Sequence, residues 1–182
     1  SYTEVPDKLE ILETGIKVLD LFCPIVKGGK AGLFGGSGVG KTVMLSEIMN
    51  NIVGRDQEKN VSVFTGIGER TREGHELFLD LEKNGVLGGV ALIYGAMGEN
   101  PSVRFLTGAG GATLAEHFRD KGKNVLVFID NIYRYAQAGN ELSLLMDTIP
   151  SEDGYQATLS SEMGAIHERL ISSKESSITA IE

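Results

Sequence analysis

The stretch Gly35-Gly36-Ser37-Gly38-Val39-Gly40-Lys41-Thr42 decides how this chain is read. Ahead of it, residues 31–34 form a short apolar run that reads as a strand; after it, residues 41–53 carry apolar side chains at three- and four-residue spacing, which reads as a helix. Strand, glycine-rich turn and helix start in that order make a G-x-x-x-x-G-K-[ST] phosphate loop. The glycines permit backbone angles closed to other residues, so successive N–H groups can turn inward around an anion, and the helix start adds partial positive charge. Lys41 offers a mobile point charge to the outer phosphates of a nucleotide, and the Thr42 hydroxyl is short enough to ligate an Mg2+ ion that bridges them. With Val43 on the same turn, the candidate nucleotide-binding set is Gly35, Gly36, Ser37, Gly38, Val39, Gly40, Lys41, Thr42 and Val43. The competing reading is a glycine-rich turn that matches by accident.

Outward from this loop, short apolar runs alternate with helical patterns, the rhythm of a mostly parallel central sheet flanked by helices, so the fold class is α/β. Strands are expected at residues 31–34, 61–67, 90–94, 125–129 and 177–181, and helices at 41–53, 72–84, 113–121, 133–147 and 159–171. Gly85 and Gly122 stand where helices should stop. Thr113, followed three places later by Glu116, fits a capping box that would start a helix. The glycine-rich residues 108–111 then read as the loop leading into that helix, since no Lys-Thr or Lys-Ser pair follows to make a second phosphate cradle.

Two further segments join the loop. The apolar run 125–129 ends in Asp130, a carboxylate at the carboxyl end of a buried strand, where parallel sheets collect their ligand sites. The run 61–67 leads into Gly68-Glu69-Arg70-Thr71-Arg72-Glu73-Gly74 and places a carboxylate and two guanidiniums at the same edge. Glu69 can polarise a water in line with a terminal phosphate, and Arg70 can offset the charge that spreads over the phosphoryl oxygens. A solvated charged turn is the plainer alternative for that segment.

Composition narrows the function classes. The 182 residues suit one domain, because single cores commonly serve about 100 to 200 residues. Acidic residues outnumber basic ones by 25 to 17, and a net charge of -8 repels a polyanion, which disfavours nucleic acid. Cys23, the single cysteine, cannot form an internal disulfide; beside Leu21, Phe22 and Pro24 it is expected to be a buried thiol. No apolar run approaches the roughly 20 residues that span a bilayer, and Ser1-Tyr2-Thr3-Glu4 lacks a signal-peptide layout, so a soluble, cytoplasmic protein without membrane insertion is expected. His75, His117 and His167 lack metal-ligand spacing, and no zinc is expected.

Four ordered segments carry a resemblance. Residues 35–42, Gly68-Glu-Arg-Thr-Arg-Glu-Gly74, Phe128-Ile-Asp-Asn-Ile-Tyr-Arg134 and Ile149-Pro-Ser-Glu-Asp-Gly-Tyr-Gln156 resemble the beta subunits of F-type (F1) ATPases, and Glu10-Ile-Leu-Glu-Thr-Gly-Ile-Lys17 resembles their lead-in to the phosphate loop. Flagellar and secretion ATPases have a similar loop, but Gln137-Ala-Gly-Asn-Glu141 and Leu159-Ser-Ser-Glu-Met-Gly164 look more like beta. The resemblance implies a RecA-like P-loop NTPase core that binds ATP or ADP with Mg2+ and hydrolyses ATP to ADP and phosphate. It implies Lys41, Glu69, Arg70 and Arg134 as catalytic residues, with Thr42, Glu73 and Asp130 holding Mg2+, partly through waters, and Asn131 beside them. Glu rather than Gln at position 69 resembles the catalytic type and not the alpha type.

The family's N-terminal barrel and C-terminal helical domain have no counterpart in residues 1–182, which are expected to be a single P-loop domain, an excised, reconstructed or designed minimal core. Its adenine-stacking aromatics and the arginine finger of a neighbouring alpha subunit also lie outside the chain, so slow turnover is expected in isolation. Thr148 and Ala157 depart from the family's Arg and Pro and put the subunit-facing surface in doubt. Implied partners are copies of the chain or alpha-type subunits, in a complex peripheral to a membrane. Two readings stay open beside this one: a nucleotide-binding module without significant turnover, and an RNA translocase of the same fold, which would need a basic, aromatic-studded channel.

Overall fold

The computed structural model describes residues 10–35 and 40–182. A two-stranded antiparallel hairpin, β1 (Ile11–Leu12) with β2 (Ile25–Val26), encloses the short helix α1 (Lys17–Phe22). The main sheet follows, with β3 (Lys30–Ala31), β4 (Asn60–Glu69), β5 (Val90–Ala96), β6 (Asn124–Asp130) and β7 (Ile178–Ile181) in the order β3-β7-β6-β4-β5. Every pairing in it is parallel. The crossovers use helices α2 (Lys41–Arg55), α3 (Thr71–Lys83), α4 (Pro101–Asp120), α5 (Ile132–Leu145) and α6 (Leu159–Arg169).

The central strands are apolar nearly throughout because both faces are covered. Along β6, Leu126 and Phe128 turn to one side, where Leu45, Ile48, Met49, Leu77 and Leu81 of α2 and α3 meet them. Val125, Val127 and Ile129 turn to the other, against Ala112, Ala115, Tyr135 and Ile166 of α4, α5 and α6. This period of two is the strand alternation written into the sequence. The expected α/β class with a mostly parallel sheet is what the chain adopts.

Several boundaries differ from expectation. The strand expected at residues 31–34 pairs only over Lys30 and Ala31, because its partner β7 is itself short. The helix expected at 113–121 starts twelve residues earlier, at Pro101, with Asn100 as its cap accepting from the Ser102 N–H at 3.0 Å. Proline at the first helical position after an asparagine was the readable signal. The capping box does not form: Thr113 Oγ1 donates to the Ala109 carbonyl inside the helix at 2.8 Å, and Glu116 pairs with Arg169 at 2.6 Å.

Residues 108–111 are therefore mid-helix and not a loop. Their glycines let α4 lie close to its neighbours: a Cβ on Gly108 would stand 2.9 Å from both Ile166 Cδ1 and Tyr135 Cδ2. Cys23, expected to be buried, is exposed at the end of α1, beside Leu21 and Phe22, which are exposed as well. Gly85 and Gly122 do end their helices, with φ of 70° and 78°. No helix among the described residues is long and apolar enough to cross a membrane.

Candidate functional site

The carboxyl ends of β3, β4 and β6 and the amino ends of α2, α3 and α5 meet at one edge of the sheet, around a cavity of about 740 Å³. Gly35, Gly40, Lys41, Thr42 and Val43 line it together with Glu69, Glu73, Asp130, Asn131 and Arg134. Gly36, Ser37, Gly38 and Val39 lie outside the described residues. Gly40 takes φ of 89°, a left-handed angle that glycine adopts freely, and hands the chain directly into α2 at Lys41. A second cavity, of about 360 Å³, lies near Asn60 and Asn124 at the amino ends of the strands, the edge where doubly wound sheets do not gather ligands.

Glu69 is the best enclosed ionisable group here, 7% exposed, with its Oε1 2.6 Å from Arg134 Nη1. The same guanidinium donates to the Gly68 carbonyl. Gly68 serves this contact twice: its φ is 66°, and a Cβ there would stand 3.0 Å from Arg134 Cδ. Between Ile67 and Glu69 the register with β5 slips, a bulge that re-aims the strand end. Arg70 does not line the cavity; its side chain is 62% exposed, with Nη1 3.5 Å from Glu73 Oε1.

Burial, a hydrogen bond with Glu73 and the charge of Asp130 push the Glu69 carboxyl up to about 7, against the pull of Arg134. Burial also raises Asp130, opposed by Lys41 and Arg134. This gives a stability prediction for the protein free of nucleotide and divalent cation. Between the ordinary 4.5 of a glutamate and about 7, the folded state holds a proton on Glu69 that the unfolded state has released, so stability falls as pH rises through that window. Asp130 and Glu182, both raised by burial, add in the same direction. Denaturant midpoints followed from pH about 5 to about 8 should decline, and more shallowly in Glu69→Gln.

The donor set fits Mg2+. Thr42, Glu73 and Asp130 offer oxygen only, and among the described residues no three acidic, histidine or cysteine side chains close into a cage. Mg2+ is held by one or two protein oxygens, with waters and substrate phosphates completing its shell.

Two residues that sequence reasoning passed over belong to this edge. Arg104 of α4, 14% exposed, grips Glu141 of α5 and donates from Nε to the Glu99 carbonyl at 3.0 Å, its stem against Gly68. Tyr94 of β5 lies opposite Gly66 in the ladder, a relation that only the strand register reveals.

Residues 15–182 match the sequence profile of the ATP synthase alpha/beta family, nucleotide-binding domain. The chain belongs to that family. Among solved structures it is similar to a unique ATP synthase subunit, NeqB, from Nanoarcheaum equitans, with a TM-score of 0.86 and 29% identity. The likeness covers 94% of this chain and 43% of that one, so the chain spans less than half of that relative's length. The matched profile is that of a nucleotide-binding domain, which implies a nucleotide ligand.

Proposed function

We propose that this nucleotide-binding domain holds Mg-ATP or Mg-ADP in the cavity around Lys41 and hydrolyses ATP to ADP and phosphate, as a catalytic beta-type core. The observation that carries the reading is Glu69: a carboxylate buried at the strand end, 2.6 Å from Arg134, on the cavity that Lys41 and Thr42 also line. Main-chain N–H groups of residues 35–42 would surround the phosphates, with Lys41 on the outer ones. Thr42, Glu73 and Asp130 would hold Mg2+, directly or through its waters; when bound, it neutralises charge on the phosphate oxygens.

Glu69 would take a proton from the attacking water as that water's oxygen bonds to the terminal phosphorus. The bond to the bridging oxygen breaks, and ADP leaves with the electron pair. A carboxylate poised near neutral pH suits that transfer. Arg134, beside Glu69, would turn toward the charge developing on the phosphoryl group.

A second reading, nucleotide binding without significant turnover, draws support from Arg70, whose guanidinium faces solvent and leaves the cavity one cation short. We read residues 1–182 as one nucleotide-binding domain and, by the resemblance to F1, expect copies or alpha-type subunits beside it and a place at the periphery of a membrane complex. Calorimetric titration of ATP with and without Mg2+, with phosphate release followed in the same samples, separates the readings. Binding with slow release supports the first, binding alone the second, and no binding sinks both.

A further inference from the structure

We infer that Tyr94 is a positioning residue, its ring seated between Gly66 and Gly74 so that the strand ending in Glu69 and the helix with Glu73 in its first turn keep one fixed separation. This rests on the proposed roles of Glu69 and Glu73. Gly66 lies on β4, three residues before Glu69, and Gly74 follows Glu73 in the first turn of α3. A Cβ on Gly66 would stand 2.6 Å from Tyr94 Cδ1 and Cε1, and one on Gly74 would stand 2.8 Å from Cε1 and 3.0 Å from Cζ. The same edge of one ring therefore fills a slot whose two walls carry no side chain.

The slot is next to the chemistry. The Gly66 Cβ position is 3.5 Å from Glu69 Cβ, and the β4–β5 register slips immediately beyond it, where Glu69 is re-aimed. The ring packs against the buried Phe64, with centroids 5.6 Å apart, so moving it disturbs the core. Burial, followed by the charges of Glu69 and Asp130, raises the phenol, which stays neutral and adds no charge to the site. An ordinary core tyrosine would contribute packing alone; a wedge couples its own presence to whether position 74 can carry a methyl group.

The test is a double-mutant cycle on the whole chain. Gly74→Ala should lower Glu69-dependent turnover about a hundredfold, the cost of a misplacement near 1 Å. Its ATP affinity without Mg2+ should stay within about twofold, because the 35–42 loop is untouched. Adding Tyr94→Leu should restore at least about tenfold of the loss, whereas strict additivity of the two changes would overturn the wedge. Tyr94→Phe keeps the ring and should keep kcat.

Tyr94→Leu alone should lose kcat at retained KM, and this arm decides the matter if Gly74→Ala does not fold; retained kcat, or losses that only track the denaturant midpoint, count against the wedge. If the parent chain shows no Glu69-dependent turnover, the proposed hydrolysis fails on its own. The wedge is then judged by the gain in ATP affinity on adding Mg2+. That gain should shrink in Gly74→Ala and return in the double variant; an unchanged gain overturns it.

Discussion

Replacing Lys41 by alanine is expected to weaken ATP binding on the order of a hundredfold, since a hydrogen bond to a charged group contributes about 1.5 to 3 kcal/mol. The loss has two parts. Lys41 opens α2 on the cavity and is the cation proposed to meet the outer phosphates. It is also the largest opposing influence on the half-buried Asp130, and without it the carboxylates lining the cavity face an incoming anion with less compensation. The fold should be indifferent, because alanine favours helix at an N-terminal turn and Lys41 belongs to neither hydrophobic cluster. Calorimetric titration beside a denaturant curve checks both halves. Unchanged affinity in a folded variant would mean that the loop binds nothing through this residue.

Glu69→Gln is expected to cut phosphate release by roughly a hundred- to ten-thousandfold, the usual contribution of a positioned general base. Gln cannot accept the water's proton, yet it fills nearly the same volume and can still accept a hydrogen bond from Arg134. ATP affinity should therefore change little, and the effect should fall on kcat and not on KM. Turnover equal to the parent's would remove Glu69 from the mechanism and favour a different water-orienting group.

The sheet and the helix that opens at Lys41 were legible because each is written in local spacing: the alternation through β6, and the apolar positions three and four apart from residue 41 onward. The start of α4 was passed over in spite of its Asn100-Pro101 signal. Glycine costs a helix up to about 1 kcal/mol per position, so Gly108, Gly110 and Gly111 argue locally against one. The close approach of α4 to α5 and α6 repays that cost, and sequence spacing carries no sign of it. Cys23 was misread because an apolar neighbourhood in sequence is not one in space; Leu21 and Phe22 face outward with it. Arg70 and Arg134 looked equivalent as charges near the site. The chain turns Glu69 inward at the β4 bulge and leaves Arg70 at the surface, while α5 starts close enough to return Arg134 to Glu69. Tyr94 was invisible for a related reason, since its meaning lies in what stands opposite it on another strand.

The flank of the sheet has a bearing on handling. Among the described residues β5 pairs only with β4, and its seven residues, Val90–Ala96, carry no charge and no proline. Natural edge strands are usually blunted by lysine, proline or a covering segment, because unpaired backbone donors and acceptors invite strand addition. Unscreened, this edge is where a crowded solution of the chain would begin to self-associate, copy adding to copy by backbone pairing. The sheet that gathers its chemistry at one end thus has, among the described residues, an uncharged strand along its side.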